Sequence, residues 1–184
     1  MDVYDRAKIG KKVGRGGDRN VFMYGSNEVI KISSVSWLTG DKLHNKLIHD
    51  YLVCHRYFKE YMVKTRDVSL EDGKTHIEIQ PFVSGEFIEK KHMNNPAVKS
   101  QLAEIACILN QMKSDKYAPL DLVGHMGMIR PCLSNVFLDD DNKLRIIDTT
   151  LLEAKTLMPI GLLIEILLPI VKVRQKYLPK KFLR

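Results

Sequence analysis

The sequence predicts an α+β fold in which a twisted antiparallel sheet precedes a mostly helical part. Three observations indicate this: apolar runs broken by turn residues near the N-terminus, two long segments with apolar residues at helical spacing, and a later hairpin. A chain of 184 residues suits one domain. We expect two small lobes that share a cleft, with residues 1–80 forming the sheet and one helix, and residues 81–184 forming a reduced helical lobe.

The N-terminal part contains a glycine-rich hairpin. A first run, from Val13 to Phe22, is glycine-rich between apolar residues, a turn follows, and an apolar run extends from Glu28 to Ile32. The glycines of the first run are Gly14, Gly16 and Gly17. Glycine lets backbone N–H groups approach phosphates closely. No helix pattern follows the loop, and it lacks the ending of a P-loop, so a strand-turn-strand lid over phosphates fits better. An ordinary tight hairpin is the alternative.

A long helix is predicted from Asp41 to Lys64. Its apolar residues recur three and four positions apart and share one face: Leu43, Leu47, Tyr51, Cys54, Phe58 and Met62. Asp50 lies at the edge of that face. Because a buried unpaired charge is costly, we expect Asp50 to have a partner, and Lys31 is the candidate. A partly solvated Asp50 is the alternative.

The middle of the chain continues the same architecture. Residues Thr75 to Gln80 alternate like a strand, and Pro81 to Glu86 has the composition of a connection between the two lobes. A second helix is predicted from Pro96 to Lys113. Its inward residues are Leu102, Ile105, Ala106, Leu109 and Met112.

A hairpin later in the chain carries Asn135 and Asp148 at its two ends. Its strands are the apolar run 136–138 and the run Leu144 to Ile147, joined by a polar turn. Closing a hairpin brings its ends together, so an amide and a carboxylate meet at one sheet edge. Hard oxygen ligands of this kind suit Mg²⁺, which also accepts phosphate oxygens. Polar ends without any metal are the alternative.

In this order the pieces resemble the protein-kinase-like fold. The interval between Asn135 and Asp148 matches the interval between the catalytic-loop Asn and the metal-binding Asp of that family. The resemblance implies a minimal two-lobed protein-kinase-like fold with a truncated C-terminal lobe, and it implies ATP and Mg²⁺ as cofactors. Lys31 would touch the nucleotide phosphates together with the glycine loop, and Asp50 would hold Lys31. Asn135 and Asp148 would hold Mg²⁺. The residues expected to meet the base through backbone groups are Gln80, Phe82 and Val83.

A narrower resemblance covers almost the whole chain. The pattern around Gly14, Gly16 and Arg19, followed by Ile30-Lys31-Ile32, is similar to the small bacterial YrbL family, which is associated with the PhoP regulatory network. The end of the chain is similar as well, from Asp148 through Leu157-Met158-Pro159-Ile160 to a basic stretch that finishes with Lys180-Lys181-Phe182.

Two departures from the protein-kinase pattern bear on catalysis. The position of the catalytic base, five residues before the metal-binding Asn, is Arg130, and arginine does not accept a proton at physiological pH. Asp121 replaces it only if the loop to Asn135 folds back. Threonines, Thr149 and Thr150, follow Asp148 where protein kinases carry Phe and Gly. Phosphoryl transfer depends mostly on positioning and charge neutralisation, and Arg130 would help to offset phosphate charge. A divergent phosphotransferase and a nucleotide-binding pseudokinase therefore both remain open.

The part of the chain after Asp148 limits the kind of phosphate acceptor that could dock, and it suggests a membrane surface as a second partner. Only 36 residues follow Asp148, which is too few for a peptide-docking platform of the usual size. The sequence does not identify the phosphate acceptor, which is a protein, a small molecule or nothing at all. The segment Leu157 to Val173 is very apolar but shorter than the ~20 residues that span a bilayer. We expect a buried helix, with Pro159 and Pro169 preventing one long regular helix. The alternative is contact with a membrane surface, helped by the basic residues Lys172, Arg174, Lys176, Lys180, Lys181 and Arg184.

Composition limits the possible partners and the location of the protein. The net charge of +7 indicates an anionic partner, which nucleotide phosphates, acidic protein, lipid or nucleic acid would all supply. The alternative to a kinase-like function is therefore a non-enzymatic basic scaffold that binds a partner protein, nucleic acid or an acidic membrane. Nucleic acid is the least favoured of these partners because no aromatic-interleaved basic motif appears. The cysteines, Cys54, Cys107 and Cys132, show no metal-like spacing and are expected to be free thiols. With no apolar N-terminal signal, the cytoplasm is the expected location.

Overall fold

Two antiparallel sheets and three α-helices make up the part of the chain that the structure describes. The computed structural model describes residues 4–16, 19–33, 41–69, 75–124, 130–152 and 161–184, with the backbone alone at 161–169 and 171. The strands are β1 Ile9–Arg15, β2 Arg19–Tyr24, β3 Glu28–Ser33, β4 Arg66–Asp67, β5 Ile77–Pro81, β6 Gly85–Glu89, β7 Cys132–Asp139 and β8 Leu144–Ile146. The helices are α1 Asp41–Phe58, α2 Pro96–Ser114 and α3 Gly161–Leu183. The fold class expected from the sequence, α+β, is confirmed.

The first sheet has the order β1-β2-β3-β5-β4, with every pair antiparallel. Alternation along β5 places Ile77 and Ile79 on one face, where they join a small core with Tyr24, Ile30 and Val68. The opposite face of β5 carries His76, Glu78 and Gln80, and these side chains are buried too. One side of the sheet is therefore apolar, and the other side is a buried polar surface directed at the rest of the chain.

Helix α1 begins at Asp41 as predicted but ends at Phe58, six residues before the predicted end. The chain beyond the helix pairs with β8: the N–H of Ile146 donates to the carbonyl of Tyr61 at 2.8 Å, and Met62 forms a parallel bridge with Ile146. Tertiary hydrogen bonds thus replace the helical ones that periodicity alone predicts. The last turns of α1 enter the larger hydrophobic core through Val53, Cys54 and Phe58.

The second sheet, in the order β6-β7-β8, contains the predicted hairpin. Val136 lies opposite Ile146 and Leu138 opposite Leu144, so the predicted pairing of the two runs is confirmed. Helix α2 begins at Pro96 as predicted and ends one residue beyond the predicted Lys113. Its start is fixed by Asn95, whose side chain accepts a hydrogen bond from the N–H of Ala97 at 3.0 Å. The four most buried residues of α2 are Val98, Leu102, Ile105 and Met112.

A three-residue link between β5 and β6 joins the two sheets within the predicted connection at 81–86. Gly85 opens β6 with φ +149, a conformation that L side chains rarely adopt. A Cβ at this position would lie 2.1 Å from the carbonyl oxygen of Leu138. The link therefore requires glycine where it meets the second sheet. The predicted lobe division at residue 80 stays a prediction, since α1 contributes side chains to the core of the later part of the chain.

Helix α3 corrects two predictions about the C-terminus. It runs unbroken for 23 residues through Pro169 and Pro179, so the expected interruption at Pro169 is wrong, and Pro159 lies outside the described residues. Packing compensates for the lost hydrogen bonds, since Leu178 and Phe182 are buried in the larger core. The described side chains of the segment expected to be buried, Ile170 and Val173, are instead half exposed. Among the described residues, no helix is long and apolar enough to span a bilayer.

Candidate functional site

The polar face of the first sheet meets the chain after β8 in a network of buried charges. Arg19 on β2 donates one guanidinium nitrogen to Oε2 of Glu78 at 2.7 Å. Its other terminal nitrogen donates to Oδ1 of Asp148 at 3.3 Å and to Oγ1 of Thr150 at 3.2 Å. Lys31 on β3 donates to the backbone carbonyl of Ile147. The two sheets are thus joined by charged contacts at the predicted metal ligand, Asp148.

Opposite charges keep the carboxylates of this network ionised. Burial raises the pKa of Glu78, but Arg19, a hydrogen bond from His76 and Lys31 outweigh it and hold that pKa well below its ordinary value. Burial likewise raises the pKa of Asp148, and the charges of Arg19 and Lys31 together with the hydroxyl of Thr150 lower it overall. Asp148 is therefore anionic at neutral pH, as a metal ligand must be.

Asn135 and Asp148 lie at the same end of the hairpin. The carbonyl of Asn135 accepts a hydrogen bond from the N–H of Ile147, the residue before Asp148, at 3.0 Å. The side-chain amide of Asn135 donates to the carbonyl of Asp121 at 2.8 Å. Its amide oxygen lies against Gly124, where a Cβ would be 2.4 Å away. The two ends of the hairpin therefore lie together, as hairpin closure predicts, and the Asn135 amide is held by its hydrogen bond to Asp121.

Asp121 lies beside this pair, because the chain before Asn135 folds back. Its N–H donates to the carbonyl of Thr150 at 2.9 Å. Its Oδ1 accepts from the N–H groups of Val123 and Gly124, each at 3.0 Å. Burial raises the pKa of Asp121 to about 6, the two backbone donors lower it in part, and the charge of Asp148 raises it further. Asp121 is therefore joined to Asn135 through its backbone carbonyl, and its carboxyl lies close enough to Asp148 for that charge to affect it.

Arg130, at the sequence position of a catalytic base, belongs to a different cluster. Its guanidinium carbon lies 5.5 Å from the centre of the Phe87 ring, and that ring packs edge-on against Phe137 at 4.9 Å. Among the contacts of the described residues, Arg130 meets this aromatic pair and neither Asp121 nor Asp148. A role for Arg130 in offsetting phosphate charge stays a prediction.

The structure gives Asp50 a different partner from the one predicted. Asp50 is fully buried and pairs with Lys46, one turn earlier on α1, where Lys31 was expected. Its Oδ2 also accepts from the N–H of Leu151 at 2.9 Å, and Lys46 donates to the carbonyl of Leu151 at 3.3 Å. Asp50 therefore anchors the chain after Asp148, because its carboxylate is already engaged in the interior by Lys46 of the same helix and by the N–H of Leu151. Nearby Cys54 is a free thiol whose pKa is raised, mainly by burial.

The glycine loop and the connection are partly described. The N–H of Gly16 donates to the carbonyl of Arg19 at 2.8 Å and closes the hairpin, while Gly14 faces Val21 with ordinary spacing. Gly17 lies outside the described residues.

In the connection, Gln80 is buried and its side-chain oxygen lies 3.5 Å from the hydroxyl of Thr65. The N–H of Phe82 already donates to the carbonyl of Asn27 at 2.8 Å, so this group is engaged within the first sheet. Val83 is half-buried. Contact of Gln80, Phe82 and Val83 with a base stays a prediction.

Sequence reasoning missed two members of the charged network, Glu78 and Thr150, and gave Arg19 no role. The signal for Glu78 was present in residues 75–80, where polar and apolar side chains alternate. In the sheet Glu78 lies directly opposite Lys31, so the two share a face. A buried strand face with three polar residues indicates partners on the other side of that face.

A surface depression of about 550 Å³ lies away from this network, at the turn between β2 and β3. Its lining residues are Lys8, Tyr24, Gly25, Ser26, Asn27, Glu28 and Arg66. None of the residues predicted to bind nucleotide or metal lines it. At the network itself the charged groups are in direct contact.

Comparison with known proteins gives one kind of match. No protein-family model and no curated protein matches the chain. Solved structures of the PknI kinase domain of Mycobacterium tuberculosis, in mutant forms, are similar to it. One has a TM-score of 0.50 at 13% identity and covers 77% of this chain and 57% of that chain. A second has a TM-score of 0.51 at 13% identity, with 77% and 59% covered.

The chain spans less than three fifths of the kinase domains it matches. At this identity the likeness concerns the fold alone, and the narrower resemblance to the YrbL family stays a prediction. The chain has a small α+β fold of the protein-kinase type.

Proposed function

We propose that the chain binds ATP with Mg²⁺ between its two sheets and transfers the terminal phosphoryl group to an acceptor. The observation that carries this proposal is that hydrogen bonds bring Asp121 and the chain at Asp148 to Asn135. The Asn135 amide donates to the Asp121 carbonyl, and the Asn135 carbonyl accepts from the N–H of the residue before Asp148. An ionised carboxylate beside an amide oxygen suits a hard divalent cation. Lys31, which donates to the residue next to Asp148, supplies positive charge for phosphate oxygens.

Asn135 and Asp148 would hold Mg²⁺, which neutralises charge on the phosphates when it is bound. The residues fit the ion, since Asp148 is anionic and a quarter of its side chain is exposed. Its Oδ1 already accepts from Arg19 and Thr150. Binding therefore requires either that Arg19 withdraw from Oδ1 or that the ion approach Oδ2.

Asp121 is the residue proposed to accept the proton. With a pKa of about 6 it is mostly deprotonated at neutral pH, yet basic enough to take a proton from an acceptor hydroxyl. The acceptor oxygen forms a bond to the terminal phosphorus as the bond to the bridging oxygen of ADP breaks. The hydroxyl proton passes to Asp121. This assignment makes a base at position 130 unnecessary.

The test combines ligand-induced stabilisation with transfer. The melting temperature is measured with and without ATP and Mg²⁺ for the wild type, Asp148→Asn and the matched control Asp140→Asn, an exposed acid on the same hairpin. A ligand at about a hundred times its dissociation constant adds about 2.7 kcal/mol to the unfolding free energy. We expect a Mg²⁺-dependent shift in the wild type and control that Asp148→Asn loses. The absence of a shift in the wild type contradicts nucleotide binding.

Phosphate release from ATP separates a phosphotransferase from a pseudokinase. We expect slow release by the wild type that Asp121→Asn abolishes while its ATP-dependent shift persists. A shift without any release by the wild type leaves nucleotide binding and removes catalysis, which is the pseudokinase outcome.

A second candidate function is binding to an anionic membrane surface, favoured by the outward face of α3. Ile170, Val173 and Tyr177 are 50%, 55% and 61% exposed, and their spacing places them on one face of the helix. Exposed basic residues accompany them: Lys172, Lys176, Lys180, Lys181 and Arg184. An apolar stripe with lysines beside it suits the boundary between headgroups and acyl chains.

A further inference from the structure

Two histidines and an aspartate from three different elements meet at the edge of the first sheet. His44 lies on α1, Asp67 on β4 and His76 just before β5. One donor atom from each lies within 4.8 Å of the other two. The Nδ1 atoms of the two histidines are 3.0 Å apart, and Nε2 of His44 is 3.7 Å from Oδ2 of Asp67.

Glu78 fixes the orientation of His76. Nε2 of His76 lies 2.9 Å from Oε1 of Glu78, so its N–H donates to this carboxylate oxygen. In the neutral ring Nδ1 is then an unprotonated nitrogen whose lone pair points at His44. Histidines that bind metals usually donate their other N–H to a carboxylate in this way.

We propose that His44, Asp67 and His76 bind a divalent transition-metal ion such as Zn²⁺. Two imidazoles and one carboxylate are a typical three-ligand set for zinc, with a fourth position left for water. Bonds of about 2.0 to 2.1 Å in a tetrahedral arrangement place ligand atoms roughly 3.3 Å apart. The Nδ1 atoms of His44 and His76, 3.0 Å apart, are close to that value. The 3.7 Å contact of Asp67 is to the other ring nitrogen of His44, so Oδ2 of Asp67 would turn towards the Nδ1 pair when an ion binds.

Ser69 supports the carboxylate of the site. Its hydroxyl donates to Oδ1 of Asp67 at 2.6 Å, and its N–H donates to the same oxygen at 2.9 Å. Oδ2 is the oxygen nearer His44, so it is the one available to the ion. Asp67 is thus held at Oδ1 by its own turn, while Oδ2 is left to turn towards an ion.

The site is linked to the charged network. Glu78 accepts from His76 through Oε1 and from Arg19 through Oε2, and Arg19 reaches Asp148. A metal ion would hold α1 against the sheet edge and fix the carboxylate that orients Arg19. The proposal goes beyond nucleotide binding and does not depend on it.

Zinc affinity is measured by competition with a chromophoric chelator, using the full chain with Cys107→Ser so that the exposed thiol does not contribute. Co²⁺ serves as a second probe, since its visible absorption reports a tetrahedral site. We expect one ion per chain. His44→Gln and Asp67→Asn should each weaken binding at least tenfold, and His55→Gln, an exposed histidine on the same helix, should leave it unchanged.

Unfolding curves without metal check that each variant is folded. Zinc should raise the melting temperature of the parent and the His55→Gln control but not of His44→Gln. No binding in competition, or equal affinity in all variants, overturns the proposal and leaves His44 and His76 as an ordinary hydrogen-bonded pair.

Discussion

Arg19 reaches Asp148 across the junction of the two sheets, with 3.3 Å between its guanidinium nitrogen and the carboxylate oxygen. Its side chain is only 4% exposed, and it holds Glu78 at the same time. The buried guanidinium of Arg19 therefore joins strand β2 of the first sheet to Asp148, the proposed metal ligand, in the chain after β8. Lys31 lies next to it and adds to the positive potential on Asp148.

Arg19→Met should destabilise the protein strongly. The substitution leaves Glu78 buried with its charge less compensated, and breaking a buried pair by removing one partner typically costs about 3–5 kcal/mol. Urea unfolding followed by circular dichroism measures the change in unfolding free energy. The double variant Arg19→Met with Glu78→Gln should recover part of the loss, because it also removes the orphaned charge.

Arg15→Met, at an exposed position on the same hairpin, provides the control and should change stability by less than about 0.5 kcal/mol. An Arg19→Met protein as stable as this control would show that the buried contacts contribute nothing to folding.

Asp121→Asn should stabilise the protein at pH 7 while abolishing phosphate release. The folded state raises the pKa of Asp121 from 3.8 to about 6, so ionising this group at neutral pH opposes folding. Asparagine keeps the oxygen that accepts from Val123 and Gly124 but carries no charge. At about 1.4 kcal/mol per pKa unit, the gain is at most about 3 kcal/mol.

The stabilisation expected from Asp121→Asn should depend on pH. Between about pH 4 and 6 the folded state binds more protons than the unfolded state at Asp121, so its contribution to stability falls as pH rises through that range. Asp148 and Glu78 act oppositely, since their lowered pKa values stabilise the fold above the unfolded values and lose effect in acid. Asp121→Asn should differ most from the wild type at pH 7 and least near pH 4. An equal difference at both would contradict the raised pKa.

Gly85→Ala should destabilise the connection between the sheets. A methyl group there would clash with the carbonyl of Leu138 and adopt an unfavourable φ, so we expect a loss of roughly 3 kcal/mol or more. Gly25→Ala is the matched control: its φ is +64, but nothing lies within 4 Å of the added Cβ, so the cost should stay near 1–2 kcal/mol. Chemical denaturation of both variants measures the difference in unfolding free energy. Equal losses would show that the positive φ, and not the clash with Leu138, accounts for the cost at Gly85.

Local patterns predicted the hairpin and its two ends correctly. Strand alternation and turn residues are short-range signals, so the closeness of Asn135 and Asp148 followed from the pairing of 136–138 with 144–146. The true partner of Asp50 was also within reach of the sequence. Lys46 lies four positions earlier on the same helix, a spacing at which opposite charges meet.

Other features depend on contacts between distant segments. Asp121 lies near Asn135 because the chain between them folds back, which no periodicity encodes. Helix α1 stops at Phe58 because β8 offers hydrogen bonds to the residues that follow. The path of α3 through Pro169 likewise reflects tertiary packing, since Gln175 bonds to the backbone of Leu120 and Leu122 and holds the helix on the core.

The outward face of α3 predicts binding to vesicles that contain phosphatidylserine and weak binding to phosphatidylcholine alone. Each basic residue near an anionic surface is worth about 1 kcal/mol, so replacing Lys176, Lys180 and Lys181 by Gln should weaken binding by about a hundredfold. Tyr177→Ser should weaken it as well by removing buried apolar area. Sedimentation with vesicles at low and high salt measures both, and salt should reduce the electrostatic part.

A matched control keeps the charge change but moves it away from α3: Lys11, Lys64 and Lys113 are exposed and replaced by Gln in the same way. If this control binds like the wild type, the α3 face carries the interaction. If it loses as much affinity as the α3 variant, vesicle binding follows from the net charge of +7 and the membrane function is refuted. Nucleotide-induced stabilisation should be unchanged in both variants, because none of these lysines lies in the charged network around Asp148.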